Sequence, residues 1–262
     1  LICGRLVSRK AGQPLTQERL KSRLKAALAS REALFDDHCY RWVYGDSDGL
    51  PGLVIDRFGD VIVVQVSNAG IELLLEALLA AINELLPELN ILLKNDGKMR
   101  AIEGLDEYVR VAQGDVPKLV PLKENGVSFL VPVWDGQKTG WFYDHRLNRR
   151  RVQKLSAGKR VLDIFSYIGG WGIQAAAAGA KEVVCVDASA SALDLVHQQA
   201  QLNGVADKVH SLKGDAFAAM KQLHEDGERF DMVIIDPPAF IARRKDIKAG
   251  ELAYQRANQL AM

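Results

Sequence analysis

Short apolar strands alternate with helical segments over the second half of this 262-residue chain, and this alternation constrains the fold more than any other feature. Strands are predicted at residues 160–165, 182–186, 209–212 and 230–235. Helices are predicted between them at 171–178, 191–202 and 217–225. Continuous apolar strands linked by helical crossovers are typical of a parallel sheet that is covered on both faces. The sequence therefore predicts an α/β fold with a doubly wound parallel sheet.

The residues before this alternation predict a smaller unit in which strands and helices are mixed. Strand-like runs lie at 53–55, 61–66, 91–93 and 126–133, with a hairpin at 57–60. A helix-rich run at 71–86 ends at Pro87, and a basic amphipathic helix is predicted at 14–34 with Thr16 as its N-cap. We therefore predict three parts: a linker region at 1–39, a small α+β domain at 40–135 and the parallel-sheet domain at 136–262.

Each strand of the predicted parallel sheet ends in residues that suit a bound ligand. The first strand contains Asp163 and runs into a glycine-rich turn at 165–172, and the second ends at Asp187. Asp215 follows the third strand and Asp236 follows the fourth. Ligands of open α/β sheets bind in the crevice at the carboxyl ends of the strands, so we expect these acidic side chains at one site.

The residue types at these strand ends narrow the choice of ligand. Asp187 can accept hydrogen bonds from both hydroxyls of a ribose, which fits NAD and S-adenosylmethionine alike, and a helix-capping role is the alternative. Asp215 can accept from an adenine amine. Glycines alone would also suit a structural turn or the pyrophosphate of NAD. An NAD site needs neither Asp163 before the turn nor Asp-Pro-Pro at 236–238, so the combination favours S-adenosylmethionine.

The fourth strand is followed by the run DPPAF at 236–240. Its two prolines lack N–H groups and stiffen the exit from the strand. We expect this exit to hold Asp236 and the Phe240 ring over a reaction centre, with a structural turn as the alternative.

Three motifs together resemble one known family. These are QKTGWFYDHR at 137–146, FSYIGG at 165–170 and DPPAF at 236–240, and the chain is similar at these positions to bacterial 23S rRNA cytosine-5 methyltransferases. The run GDSDGLPGLVIDR at 45–57 resembles the start of that family's central domain. The resemblance implies a Rossmann-like class I methyltransferase sheet, here incomplete with only its first four strands, preceded by a small α+β domain.

The resemblance also implies a set of site residues. S-adenosylmethionine would be bound by residues of the 137–146 run and of the strand ends, namely Thr139, Phe142, Asp144, Arg146, Asp163, Phe165, Ser166, Tyr167, Gly169, Gly170, Asp187, Ala188, Ser189, Asn203, Asp215, Ala216 and Asp236. Asp236, Pro237 and Phe240 would face the substrate base. Arg146 could pair with the carboxylate of the cofactor, which suits the planar guanidinium, and a surface salt bridge is its alternative role.

The chain departs from that family in two respects. Its members carry an N-terminal PUA domain, of which at most one strand near 2–7 could remain within the linker region. They also add a cysteine thiolate to C6 of cytosine, from a position after the fifth strand that would fall past Met262. Cys3, Cys39 and Cys185 do not lie where they could replace it. We therefore expect no cytosine-5 methylation by this chain alone, and we expect residues 242–262 to be poorly packed, swapped or resting on a second copy.

Basic residues cluster in three places, although the formal net charge is only +1. The clusters are Arg5, Arg9, Lys10, Arg19, Lys21, Arg23, Lys25 and Arg31; Arg146, Arg149, Arg150, Arg151, Lys154, Lys159 and Arg160; and Arg243, Arg244, Lys245 and Lys248. Solvated helix faces would explain any one cluster, but three favour a polyanionic partner such as rRNA. A homodimer is left open.

Other features exclude several classes of protein. No run of about 18 apolar residues predicts a membrane span, and no signal-peptide pattern is present, so a cytoplasmic setting without a membrane partner is expected. The cysteines form no CxxC pair, and no metal site is predicted. Two other functions remain open: methylation of a base nitrogen, which needs no cysteine, and a non-catalytic RNA-binding module.

Overall fold

The structure is a computed structural model that describes residues 4–8 and 10–262. By packing, the chain divides into two compact units. The first runs up to Lys123 and includes Leu130–Asp144, and the second comprises Glu124–Phe129 and His145–Met262. The three-part division drawn from the sequence stays a prediction.

The first unit is a mixed α+β unit, as predicted. Its elements are α1 (Gln17–Glu32), β1 (Cys39–Tyr44), β2 (Leu53–Phe58), β3 (Val61–Val66), α2 (Ala69–Glu72), α3 (Leu75–Leu85), β4 (Asn90–Asn95), α4 (Met99–Ile102), β5 (Tyr108–Gln113), β6 (Leu119–Glu124) and β7 (Val127–Pro132). Strands β6 and β7 form a hairpin whose tip belongs to the second unit. Strands β1 to β5 form one sheet in sequence order, and only the β3–β4 pair is parallel. Leu20, Leu24 and Leu28 recur at helical spacing and bury α1 in the core of this unit.

Local details of the first unit differ from the sequence prediction. The helix predicted at 71–86 is interrupted between α2 and α3, and strands β1, β5 and β6 were not predicted. Thr16 occupies the N-cap position of α1, but its side chain makes no capping hydrogen bond. The strand predicted near 2–7 lies partly outside the described residues, and residues 4–8 form no strand.

The second unit confirms the predicted parallel α/β arrangement. Its elements are α5 (Arg146–Ser156), β8 (Arg160–Ile164), α6 (Gly172–Ala177), β9 (Glu182–Asp187), α7 (Ala190–Leu202), β10 (Val209–Lys213), α8 (Ala216–Glu225), β11 (Met232–Ile235) and α9 (Ile247–Ala261). The sheet order is β10-β9-β8-β11, and all three pairs are parallel. Asp163 lies beside Cys185 on one side and Ile234 on the other, so the strands end in step. We call their common C-terminal end the carboxyl edge.

The structure contradicts the expected poor packing of residues 242–262, whereas a swapped position or contact with a second copy stays a prediction. Most of this segment forms α9, which packs against α8 and β11. Ala257 is buried, and the ring of Tyr254 lies 4.8 Å from that of Phe240. At Gly250, an added Cβ would meet the carbonyl oxygen of Phe240 at 3.0 Å, so the absent side chain permits this close approach. Small and aromatic residues at positions 250, 254 and 257 therefore give α9 a packing face that the apolar pattern did not reveal.

Candidate cofactor-binding site

The carboxyl edge brings together the acidic residues that were predicted at the strand ends. Asp163 is the penultimate residue of β8, and Asp187 is the last residue of β9. Asp215 follows β10 after one glycine, and Asp236 follows β11 directly. Because the strands are parallel and in register, these carboxylates share one edge of the sheet.

The turn between β8 and α6 is held in an uncommon backbone conformation. Phe165, Tyr167 and Gly169 have φ angles of 64°, 50° and 82°. The left-handed region costs a residue other than glycine about 1–3 kcal/mol, and such residues cluster at ligand sites. The N–H of Tyr167 donates to Asp187 Oδ2 at 2.9 Å, which fixes this turn to the neighbouring strand.

Glycine at 172 is required by the packing of α6 on the sheet. An added Cβ there would overlap Cys185 Sγ and approach Asp163 Oδ2 to 3.0 Å. The Gly172 N–H instead donates to that oxygen at 2.8 Å. At Gly169, where φ is positive, a Cβ would meet Ile173 at 2.9 Å. These two glycines therefore have a structural role, which leaves the polar atoms of the turn to indicate a ligand.

Two of those polar atoms are buried without a partner. Asp163 is fully buried and its Oδ1 has no hydrogen bond, and Ser166, at 3% exposure, has an unpaired Oγ. Burial raises the pKa of Asp163 to about 7; the Gly172 N–H and Arg149 oppose the rise, and the charges of Asp236 and Asp187 add to it. A buried polar atom without a partner costs about 1–3 kcal/mol, so a polar ligand at this turn would relieve that cost. These residues fit a cofactor that carries hydrogen-bonding groups.

Asp187 keeps acceptor capacity for a ribose. Its Oδ1 accepts from the Ser189 N–H and its Oδ2 from the Tyr167 N–H, both at 2.9 Å. An ionised carboxylate has about four lone-pair sites, so about two remain for further donors. The capping role belongs to Ser189, whose hydroxyl accepts from the Ala192 N–H at the start of α7. Ala188 and Ser189 are exposed beside Asp187.

Asp215 caps a helix in the structure. Its Oδ1 accepts from the Ala218 N–H at 3.0 Å at the start of α8, while Ala216 is buried in the core between that helix and the sheet. Its contact with an adenine amine stays a prediction, for which the other carboxylate oxygen is the acceptor.

The carboxylate of Asp236 is positioned by two residues that sequence reasoning missed. The Trp171 indole N–H donates to Asp236 Oδ2 at 3.0 Å, and His145 Nε2 lies 3.7 Å from Oδ1. The His145 and Trp171 rings are 5.5 Å apart, and the Arg149 guanidinium lies 5.6 Å from the Trp171 ring centre. The sequence contains a partial indication of both residues, because His145 lies within the 137–146 motif and Trp171 directly follows the Gly169-Gly170 pair.

The ring of Phe240 packs among other aromatic residues. Its centroid lies 6.1 Å from that of Phe165, 5.9 Å from Phe217 and 4.8 Å from Tyr254. Pro237 is half-buried and begins the segment that carries Phe240 from the strand. The predicted contact of Phe240 with a base stays a prediction, since the structure shows an aromatic cluster that anchors this segment.

Two predicted residues of the second unit have structural partners. Asn203 lies at the C-terminal end of α7, whereas the N-terminal end of that helix follows the carboxyl edge. Its amide bonds both backbone groups of Ser128, so the structure does not bring Asn203 to the other site residues. Arg146 is nearly buried at the start of α5, where its carbonyl accepts from the Asn125 amide.

Three further predicted residues belong to the first unit. Buried Thr139 donates its hydroxyl to Asp56 Oδ2 at 2.6 Å. The ammonium of Lys138 lies 4.9 Å from the Phe142 ring centre, and Asp144 is exposed. The cofactor contacts of Thr139, Phe142 and Asp144 stay predictions.

Other kinds of site find no support among the residues described. No cluster of His, Cys, Asp and Glu suited to a metal occurs in 4–8 and 10–262. Within the same ranges, no helix is long and apolar enough to cross a membrane. Cys39 and Cys185 are buried, and burial raises the pKa of the Cys185 thiol well above its usual value.

Similar proteins identify the family. Residues 106–249 match the model of the S-adenosylmethionine-dependent methyltransferase family. The ribosomal RNA large subunit methyltransferase I of Aeromonas salmonicida is 41% identical over 244 residues, which cover 91% of this chain and 62% of that protein. The chain thus spans about three fifths of the length of this relative.

Solved structures show the same fold. One assigned as a SAM-dependent methyltransferase from Streptococcus mutans has a TM-score of 0.84 at 24% identity and covers 97% of this chain and 67% of that chain. Another, a methyltransferase complexed with SAH, has a TM-score of 0.83 at 24% identity with the same coverage. The shared architecture is the Rossmann-like methyltransferase fold. Since the family match covers more than half of the chain, the chain belongs to the S-adenosylmethionine-dependent methyltransferases, whose cofactor is S-adenosylmethionine.

Proposed function

We propose that the protein transfers a methyl group from S-adenosylmethionine to C5 of a cytosine in large-subunit rRNA. The cofactor part of this proposal rests on two buried atoms without a hydrogen-bond partner, Asp163 Oδ1 and Ser166 Oγ. Both lie at the β8–α6 turn, which a hydrogen bond to Asp187 fixes. The rRNA part is supported by the name of the Aeromonas relative. The choice of cytosine C5 is supported by the motifs at 137–146, 165–170 and 236–240. A cytoplasmic setting follows from that substrate.

In this proposal each carboxylate has a separate task. Asp187 accepts hydrogen bonds from the ribose hydroxyls, and the β8–α6 turn with Asp163 and Ser166 receives the polar end of the cofactor. S-adenosylmethionine, when bound, supplies an electrophilic methyl group. Asp236, held by the indole of Trp171, orients the target base at the exit of β11.

Methylation at C5 needs a thiolate that adds to C6 of the base. Neither described cysteine suits this step, because both are buried and the raised pKa of Cys185 keeps its thiol protonated. Whether C5 is the methylated atom is therefore tested by identifying the nucleoside that the full-length protein produces.

The test is methyl transfer from isotope-labelled S-adenosylmethionine to rRNA by the full-length protein, followed by mass spectrometry of the nucleosides. The proposal expects 5-methylcytosine. A methylated base nitrogen would contradict the C5 assignment, and cofactor binding without any transfer would indicate a non-catalytic RNA-binding module.

A matched variant separates base orientation from cofactor binding. Asp236→Asn keeps an oxygen that can accept from the Trp171 indole, but it removes the charge. We expect transfer to fall by about tenfold or more, because hydrogen bonds to charged groups are worth about 1.5–3 kcal/mol, while the cofactor dissociation constant changes little. Equal losses of transfer and cofactor affinity would place Asp236 in the cofactor site instead.

A further inference from the structure

The surface of α5 that faces solvent has an unusual composition. Leu147, Arg150, Arg151, Lys154 and Leu155 are all exposed and line one shallow surface depression. Their spacing of three, four, seven and eight residues from Leu147 places them on one side of the helix, which we call the outer face of α5. The two leucines are 71% and 56% exposed, and α5 contains no acidic residue.

The opposite side of α5 is anchored in the second unit by polar contacts. Buried Arg149 donates to both carboxylate oxygens of buried Glu124, at 2.6 and 3.0 Å. Glu124 also accepts from the Gln174 amide of α6 at 2.8 Å. Asn125 donates to the carbonyl of Arg146 and accepts from the Gln153 amide. These contacts fix the helix and leave its outer face to solvent.

The second basic cluster of the sequence is therefore divided by the structure. Arg149 is neutralised by Glu124, and Arg160 is bridged to Glu182 and Glu228. Within the part of the chain that the structure describes, Arg150, Arg151 and Lys154 make no ion pair. The positive charge that remains available lies on the outer face of α5.

This face starts beside the candidate site. His145, the residue before α5, lies 3.7 Å from Asp236, and Arg149 packs on the Trp171 ring whose N–H binds that same carboxylate. The helix has 11 residues, which span about 16 Å at about 1.5 Å each. The outer face of α5 is therefore within reach of an extended ligand that leaves the region of Asp236.

We propose that the outer face of α5 binds single-stranded RNA that flanks the target base. Arg150, Arg151 and Lys154 contact successive phosphates, and Leu147 and Leu155 pack against unstacked bases or riboses. This inference rests on the proposed RNA substrate. Single-stranded RNA offers both negative charge and exposed apolar base faces, which matches the two kinds of residue present. A second copy of this chain is disfavoured, because its outer face would oppose like charges.

The test is fluorescence anisotropy of the wild-type chain with a labelled single-stranded RNA of about ten nucleotides, a length within the range of about 4–16 nucleotides that single-strand-binding domains occupy. Salt is varied, and the slope of log affinity against log salt is measured. Each phosphate contact contributes about 0.7 to this slope, so combined Arg150→Gln, Arg151→Gln and Lys154→Gln should reduce it by about 2. The matched control removes three exposed positive charges elsewhere in the second unit, by Lys181→Gln, Lys221→Gln and Arg229→Gln, and should leave the slope unchanged.

The leucines provide the specific part of the test. Leu147→Ser with Leu155→Ser should weaken RNA binding severalfold at an unchanged salt slope, because apolar contacts carry no counterions. Polyglutamate, added at the same concentration of negative charge as the RNA, should not displace the RNA. An unchanged slope in the charge variant overturns the inference, and so does displacement by polyglutamate, which would indicate an acidic protein partner. Absence of salt-dependent RNA binding in the wild-type chain would instead contradict the proposed rRNA substrate.

Discussion

Asp163 shows what one buried side chain implies for the site. It was predicted from the sequence because it precedes a glycine-rich turn at a strand end. The sequence could not show that one of its oxygens has no partner or that its neighbour Ser166 is in the same condition. Those properties depend on α6 and on Asp187 and Asp236 from two other strands, which only the folded sheet brings close.

The raised pKa of Asp163 predicts how stability changes with pH in the absence of cofactor. The folded pKa of about 7 lies above the unfolded value of about 3.9, so the protonated form is favoured by folding. The stabilisation of the folded state by protonated Asp163 is complete below about pH 4. It is lost as the pH rises to about 7, at up to about 1.4 kcal/mol per pH unit. Asp163→Asn, which resembles the protonated acid, should flatten that loss and be the more stable protein at pH 8.

Urea unfolding at several pH values checks this prediction. If the Asn variant keeps the pH dependence of the wild type, Asp163 is not the titrating group.

Residues missed from the sequence share a physical cause. Trp171 and His145 meet Asp236 from 65 and 91 residues away along the chain. Arg149 was predicted as a surface cation, yet Glu124 pairs with it in the interior. Pairings of this kind are set by tertiary packing, whereas the acidic strand ends were predictable because parallel strands end at one edge.

At the scale of elements, the four parallel strands of the second unit and the three helices between them were predicted, because strand-like and helical segments alternate along the sequence. Helices α5 and α9 of the same unit were not predicted. Strand β5 (Tyr108–Gln113) was missed, since its residues are only partly buried and its apolar pattern is weak. Helix α9 was missed because its buried face rests on Gly250 and Ala257, which contribute little hydrophobicity.

The packing of α9 predicts a difference between two neighbouring substitutions. Gly250→Val places a side chain against the Phe240 backbone and Ile241, where overpacking costs about 1–3 kcal/mol. Glu251→Val adds the same side chain at an exposed position of the same helix. We expect a lower melting temperature for the first variant, with little change for the second. Equal melting temperatures would mean that α9 does not pack as described.

At the scale of the molecule, each of the two units is built from two separate stretches of the sequence. Glu124–Phe129, at the tip of the β6–β7 hairpin, belongs to the second unit although the hairpin's remaining residues belong to the first. No sequence pattern predicted this exchange, because Glu124 is one of many acidic residues until its pairing with Arg149 is known.

This arrangement predicts a large effect for one acidic residue. Glu124→Ala removes the carboxylate that pairs with buried Arg149, and breaking a buried ion pair in this way costs about 3–5 kcal/mol. Asp246→Ala removes the half-buried partner of exposed Arg243, and we expect a loss of less than about 1 kcal/mol. Urea denaturation of both variants measures the difference, and a loss for Glu124→Ala as small as that of the control would refute the buried pairing.

The central claim is that the carboxyl edge binds S-adenosylmethionine, and isothermal titration calorimetry with this cofactor tests it most directly. The wild-type chain should bind, and Asp187→Ala should weaken binding by about tenfold to a hundredfold, because it removes charge-assisted hydrogen bonds to the ribose. Asp207→Ala, an exposed acidic position away from the strand ends, should leave the dissociation constant unchanged. Absence of binding by the wild type, or an equal dissociation constant for a folded Asp187→Ala variant, would contradict the account.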